Sequence, residues 1–416
     1  MDACPADADA PMTRIFRTAN FRPIVRSAMA AGAMLALVSP VATGAQGTLP
    51  VVASQTPPTP PSLEGAPLAY MIDLGSGRVL FSREADRRFM PASLTKLMTA
   101  YTAFEMLDEG TLQLAQRMPV SDGAFKEWSG KGSSMFVARG TAIPVDTLLK
   151  GILTVSANDG CVVLAEGATG SVPNWVDLMN AKARELGMKD SHFGTPNGWP
   201  DQGRTYTSAR DLATLARAII TRHPGKYQRY FGLRLFEWNG IQQRNRNPLL
   251  DAVAGADGLK TGFTNEAGYG FVGSAERNGR RLVMVIGGTE SGAARKAIAR
   301  DFINWGFDDW QARMLFGAHQ PVAKVELQGG AERKIEVASE RPVFVTTPQG
   351  QAADAKVAVR YLGPAKAPIA KGQTIASLTI RTSDGAKSEV PLVATQDVAV
   401  ANWWQRLRNG LLSLVI

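Results

Sequence analysis

A serine hydroxyl attacks a carbonyl only when a base takes its proton, and a lysine can be that base only in its neutral form. Ser93-Leu94-Thr95-Lys96 offers such a pair. The run follows Pro91-Ala92, so Ser93 is predicted at the start of a helix, with Lys96 one turn further on the same face. The lysine amine then lies within reach of the hydroxyl. A helix N-terminus adds a positive field and free N–H groups where an oxyanion would develop. Burial or cationic neighbours are needed to lower the lysine pKa. Taken alone, the pattern is weak and reads first as a helix cap followed by a surface lysine.

Two further elements give it company. Ser156-Ala157-Asn158 is the only Ser-x-Asn in the chain, and Lys260-Thr261-Gly262 the only Lys-Thr-Gly; Ser93 begins the only Ser-x-x-Lys. The three fall at a helix start, in an interhelical loop and at a strand edge, in an order that chance hardly supplies. Other nucleophilic schemes find no support. His192, His223 and His319 are the only histidines, none in a nucleophile-elbow or zinc-ligand spacing, and they read as surface or structural. Gly287-Gly288 lacks the remaining glycines of a nucleotide loop, so neither cofactor nor metal is expected.

The elements that must position these residues follow from periodicity. Apolar residues recur at helical spacing from Ser93 to about Leu107, and helices are also expected over 145–155, 159–168 and 294–305. Two strands around a glycine turn are expected near Leu68–Phe81, and two more over 268–275 and 281–287, with Lys260-Thr261-Gly262 just ahead of them. Helices flanked by strands, without βαβ repetition, predict an α+β domain on a mostly antiparallel sheet. From about Gln320 to Thr395, short alternating runs separated by turn clusters, Pro342-Val-Phe-Val-Thr among them, predict a small all-β domain. In the last segment Val400, Trp403, Trp404, Leu407, Leu411, Leu414 and Val415 share one helical face opposite Gln405, Arg406, Asn409 and Ser413. That pattern suits an in-plane membrane anchor.

The three elements in this order resemble those of the penicillin-binding-protein family of serine D-alanyl-D-alanine carboxypeptidases. Ala69-Tyr-Met-Ile-Asp-Leu-Gly-Ser-Gly, Pro91-Ala-Ser-Leu-Thr-Lys-Leu-Met-Thr, Asp257-Gly-Leu-Lys-Thr-Gly-Phe-Thr-Asn-Glu-Ala-Gly-Tyr and Trp305-Gly-Phe are similar to its signatures. The β-rich domain and terminal helix look like the low-molecular-mass architecture. The resemblance implies a β-lactamase/transpeptidase-like fold, removal of the terminal D-alanine from peptidoglycan stem peptides, and covalent binding of β-lactam antibiotics. It implies Ser93 as nucleophile, Lys96 as base, Ser156 as proton relay and Lys260 as keeper of the positive field. Asn158 would bind the substrate amide, and Thr261, with Gly262 beside it, and Arg295 would hold the terminal carboxylate. Backbone N–H groups of Ser93 and Phe263 would form the oxyanion hole; some relatives have histidine where Phe263 stands.

Rival readings share the motifs. A β-lactamase needs a deacylating carboxylate, and the segment 195–210 (TPNGWPDQGRTYTSAR) supplies no glutamate; Glu166 falls in an expected helix and reads as structural. A D,D-endopeptidase of cross-linked peptidoglycan would use the same triple. A non-catalytic wall-binding scaffold would not need Ser93, Lys96, Ser156 and Lys260 intact.

Composition fits an exported enzyme. Arg14, Arg17, Arg22 and Arg26, an apolar run from Ala28 to Val38 and small residues at 42–45 read as a signal peptide over 1–45, with Met12 an alternative start. Residues 46–67, rich in Pro, Ser and Thr, read as an extended tether. Domains are expected at 68–318 (catalytic) and 319–396 (β-rich), with the anchor helix at 397–416. Cys4 leaves with the signal, so Cys161 cannot form an intramolecular disulfide and reads as a packing residue. The net charge of +9 suits an anionic membrane surface or wall polymer. No basic run interleaved with aromatics appears, so no nucleic-acid partner is expected. The expected location is the periplasm, at the outer face of the cytoplasmic membrane.

Overall fold

Alternation along one strand dictates the layering of the catalytic region. In the strand Arg280–Thr289, Leu282, Met284 and Ile286 join one hydrophobic cluster, and Val283 and Val285 join another. Side chains of a strand point alternately to opposite faces, so this strand is buried on both. It belongs to an antiparallel sheet of β1 (Leu68–Asp73), β2 (Val79–Arg83), β3 (Ala256–Thr264), β4 (Gly268–Arg277) and β5 (Arg280–Thr289), in the order β2-β1-β5-β4-β3. One face is covered by a helical layer: α1 (Lys96–Asp108), α2 (Asp122–Trp128), α3 (Val145–Thr154), α4 (Asn158–Thr169), α5 (Val172–Glu185), α6 (Ala209–Arg222) and α7 (Pro224–Tyr230). The other is covered by α8 (Gly292–Asp308), whose Phe302 and Ile303 pack in one cluster with Met71 and Met284. The expected α+β class, with an antiparallel sheet, is what the chain adopts.

This computed structural model describes residues 57–413 and the dipeptide Ala19–Asn20. The expected signal peptide and most of the expected tether lie outside the described residues. The described end of that tether is packed: Leu63 and Ala66 are buried, and Arg83 Nη1 donates to Leu63 O at 2.8 Å. The chain divides into two units, one of residues 59–317 with 341–350, the other of residues 318–340 with those from 351 onward. The run at Pro342, expected in the small β domain, therefore falls in the first unit. There Val343–Pro348 pairs with Trp310–Phe316, a register that buries Val343 and Val345.

The second unit is a β-sheet domain. Its strands Ala355–Arg360, Thr374–Thr382, Lys387–Ala394, Lys334–Ala338, Pro321–Gln328 and Ala365–Lys366 are neighbours in that order. Val325, Ile335, Val337, Leu378, Ile380 and Leu392 supply its buried side chains. Helix α9 (Trp403–Ser413) follows, with Trp403, Trp404 and Leu407 63%, 61% and 54% exposed. Among the described residues no helix is long and apolar enough to cross a membrane.

Candidate active site

The turn that carries Ser93 is tighter than the periodicity suggests. Ser93 lies on a single 3-10 turn, Ala92–Thr95, and the α-helix begins at Lys96. Ala92, buried, has φ +49°, a left-handed value that L-residues adopt at a cost of roughly 1–2 kcal/mol. Leu94 N donates to Pro91 O at 3.0 Å and closes the turn. Helical spacing brings the two side chains together but does not register the altered winding that sets Ser93 ahead of the helix.

Lys96 is fully buried, and its ammonium position is satisfied by three oxygens: Ser93 Oγ at 2.9 Å, Asn158 Oδ1 at 2.8 Å and the Asn197 carbonyl at 2.6 Å. No carboxylate is among them. Burial brings its pKa down to about 8; Cys161 and Asp159 pull it upward and Arg246 downward. Above about pH 8 the amine is neutral, and a neutral amine 2.9 Å from a serine hydroxyl can take its proton.

Ser156 and Asn158 come from the junction of α3 and α4. The break between helices is made by Ser156 itself, with φ +66°, and Asn158 is the first residue of α4. Ser156 Oγ is buried and has no hydrogen-bond partner. A buried orphan hydroxyl is costly in a finished core and useful where a ligand will supply the partner. Asn158 Nδ2 donates to Lys131 O at 3.1 Å, which leaves Oδ1 to face Lys96.

The third element lies inside a strand, not ahead of one: Lys260, Thr261 and Gly262 are in the middle of β3. Gly258 and Gly262 interrupt the apolar alternation here, so periodicity does not show this strand. At Gly262 a Cβ would sit 2.7 Å from Pro91 O, so only glycine lets β3 run against the nucleophile turn. Lys260 is buried, donates to Thr261 O at 2.9 Å, and has its pKa held well below the ordinary range by burial, with Lys96 and Arg246 acting the same way.

These elements enclose a cavity of about 600 Å³. Ser93, Ser156, Asn158, Thr261, Gly262, Phe263 and Arg295 line it, and the amines of Lys96 and Lys260 lie buried among them. Phe263 is 46% exposed and packs on Tyr269 with ring centroids 4.1 Å apart; the Arg295 guanidinium lies over the same tyrosine at 5.4 Å. None of the three histidines lines it. Glu166 accepts from Ser121 Oγ at 2.7 Å and also lies off the cavity wall. Cys161 is buried on α4, which pushes its thiol up to about 12.

The sequence reading missed Arg246, Ser133, Asn197 and Trp199, all on the cavity wall. Asn197-Gly198 is a turn signal that was legible. Arg246 follows the hairpin of Leu235–Trp238 and Ile241–Arg244 and carries no local signature.

A family description of D-alanyl-D-alanine carboxypeptidases matches residues 54–291, and a second, of the penicillin-binding protein 5 C-terminal domain, matches residues 310–400. The chain belongs to the D-alanyl-D-alanine carboxypeptidase family. It is 32% identical to D-alanyl-D-alanine carboxypeptidase DacF of Bacillus subtilis, over 82% of this chain and 88% of the relative. To DacA of Escherichia coli K12 the identity is 33%, over 81% and 84%. Among solved structures, penicillin binding protein 5 from Haemophilus influenzae superposes with TM-score 0.67 at 32% identity, covering 82% of this chain and 99% of that one. Penicillin-binding protein D2 from Listeria monocytogenes, in its ampicillin-bound form, superposes with TM-score 0.55 at 28% identity, covering 60% and 100%. The family makes this chain a serine-type hydrolase of the penicillin-binding-protein fold.

Proposed function

We propose that this chain removes the terminal D-alanine from peptidoglycan stem pentapeptides through an acyl-enzyme on Ser93. The observation that carries the assignment is the buried Lys96 amine, 2.9 Å from Ser93 Oγ and without a carboxylate partner. Ser93 Oγ attacks the carbonyl between the two D-alanines and passes its proton to Lys96. The tetrahedral oxyanion is held by the backbone N–H groups of Ser93 and Phe263. Its collapse expels D-alanine, whose amine takes a proton relayed through Ser156, while Lys260 keeps the surroundings positive. Water then hydrolyses the ester. Asn158 holds the substrate amide, and Thr261 and Arg295 hold the departing carboxylate.

A β-lactam would acylate Ser93 in the same way, but its cleaved amide stays tethered and blocks water. Labelled penicillin should therefore leave a long-lived adduct on the wild type, located on Ser93 by peptide mapping, and none on Ser93→Ala. A pentapeptide ending in D-Ala-D-Ala should lose one D-alanine. Adduct on the variant would sink the nucleophile; cleavage of cross-linked dimers with pentapeptide left intact would make the enzyme an endopeptidase.

The same reading puts the enzyme outside the cytoplasmic membrane, after removal of residues 1–45, and on the membrane surface through the segment from 397 onward. The exposed Trp403, Trp404 and Leu407 of α9 support that contact. Truncation at Asp397 should release the protein to the soluble fraction; unchanged partitioning would refute the anchor.

A further inference from the structure

Asp159 follows the Ser-x-Asn element, is fully buried, and takes no part in the steps above. Four donors converge on its carboxylate. Oδ1 accepts from Met135 N at 3.0 Å and Gly160 N at 2.9 Å; Oδ2 accepts from Ser134 Oγ at 2.5 Å and Val137 N at 3.1 Å. Three of the four belong to the loop that precedes β-pairing residues 142–144. Ser134 Oγ in turn accepts from Gly130 N at 3.1 Å and Phe136 N at 2.8 Å, so the loop is wrapped around one hydroxyl and one carboxylate.

The same loop holds the catalytic amide. Ser133 O accepts from Asn158 N at 2.7 Å and Lys131 O from Asn158 Nδ2 at 3.1 Å. With Nδ2 tied there, Oδ1 is the atom that meets Lys96 Nζ at 2.8 Å; the flipped amide would set two donors against the ammonium. The fit is close, since a Cβ on Gly132 would stand 3.0 Å from Asn158 Nδ2 and 3.0 Å from Trp199. At the rim, Arg246 donates to Ser133 Oγ at 2.5 Å.

We propose that Asp159 is a positioning residue: its carboxylate fixes the loop 130–137 and, through that loop, the orientation of the Asn158 amide against Lys96. An amide could not replace it. Asparagine in one orientation turns its NH2 toward the Val137 N–H, and in the other toward the N–H groups of both Met135 and Gly160. The carboxylate also acts electrostatically. Lys96 is faced by Cys161 and Asp159 from α4, by Arg246 after the hairpin and by Lys260 from β3; loss of the Asp159 charge removes one of the two influences that raise its pKa.

The inference rests on the reading of Ser93 and Lys96 given above, and the test separates the two. Acylation by labelled penicillin is followed from pH 6 to 10 for wild type, Asp159→Asn and Ser134→Ala, with thermal unfolding measured alongside. Asp159→Asn should acylate roughly 10- to 100-fold more slowly, the scale of a misplaced catalytic group. Its rise of rate with pH should lie lower than in wild type. Ser134→Ala keeps the charge, so it should slow acylation by a smaller factor with the rise in its original place. Unchanged acylation in Asp159→Asn, or a lowered melting temperature with rate and pH profile intact, overturns the proposal. Should Asp159→Asn fail to fold, wild-type acylation in Ser134→Ala overturns it instead. Wild type that forms no adduct refutes the site reading, not the loop.

Discussion

Two regions of the catalytic unit bury positive charge, and they treat it in opposite ways. Beside β1, Asp73 and Arg280 form a buried pair at 2.7 Å, and the carboxylate also accepts from Gly75 N at 2.9 Å, Ser76 N at 3.2 Å and Thr346 Oγ1 at 2.9 Å. Arg280 Nη1 donates to Trp310 O at 2.9 Å. Beneath the cavity, Lys96 and Lys260 are equally buried, yet the oxygens they meet belong to a serine, an amide and backbone carbonyls. A buried charge with an opposite partner and further hydrogen bonds is a structural device, even where one donor, Arg280 Nη2, stays without an acceptor. A buried amine without one loses its proton at a lower pH and becomes a base. The same unit thus holds a buried ion pair in one region and two amines of lowered pKa in the other.

The sharpest way to break this comparison is to remove the lysine. Lys96→Met should cut acylation by about 10³-fold or more, because Ser93 loses its base. It should also make the protein more stable near neutral pH, since the desolvation cost of the amine disappears. Chemical denaturation and labelled-penicillin kinetics on one preparation would read both effects; a variant that is inactive and less stable would contradict the contrast. Arg280→Leu is the mirror experiment. Removing one partner of a buried pair strands the other, at a cost of about 3–5 kcal/mol. Protein that stays folded should keep its acylation rate, and a loss of rate without a loss of stability would break the separation of the two regions.

A third measurement uses pH. The folded pKa of Lys96, about 8, lies below its ordinary 10.5. Between these values the unfolded chain binds more protons, so the stability difference between wild type and Lys96→Met should narrow as pH rises from 8 to 10.5. The penalty is present in full below about pH 8. That displacement corresponds to about 3 kcal/mol. Lys260 is lowered partly by Lys96 and shifts in the same sense, so the difference between the two proteins reads both amines together. A difference that is flat with pH would mean that burial does not lower the pKa of Lys96.

How much of this was legible in the sequence follows from the same physics. Ser93, Lys96, Ser156, Asn158 and Lys260 were legible because two of these elements set their residues a fixed few positions apart on one local structure, and the third is a unique tripeptide. The paired sheet strands β4 and β5 and helices α1, α3, α4 and α8 were legible from their periods. The Asp73–Arg280 pair was not, since strand register brings together residues that share no local pattern. Asp159 was passed over although it adjoins Asn158, because its partners lie in a loop with no periodicity. The strand that carries Lys260 was missed where glycines replace apolar residues, and those glycines are there because β3 must touch the nucleophile turn.

The smallest expected effects concern single hydroxyls, and they carry the comparison to its finest grain. Thr346 Oγ1 donates to a buried carboxylate, so Thr346→Val leaves an acceptor one donor short in a place water does not reach. A hydrogen bond to a charged group contributes about 1.5–3 kcal/mol, and the loss should appear in full in denaturant unfolding. Ser156 Oγ has no partner to lose. Alanine tolerates φ +66° no better and no worse than serine, and it removes a desolvated polar group. Ser156→Ala should therefore leave stability unchanged or raise it by about 1 kcal/mol, while D-alanine release slows because the leaving amine loses its relay. Two buried hydroxyls of similar size would then respond in opposite directions, one in stability and one in turnover. If Ser156→Ala proves as destabilising as Thr346→Val, the orphan hydroxyl has a structural partner after all, and the contrast between the two hydroxyls fails.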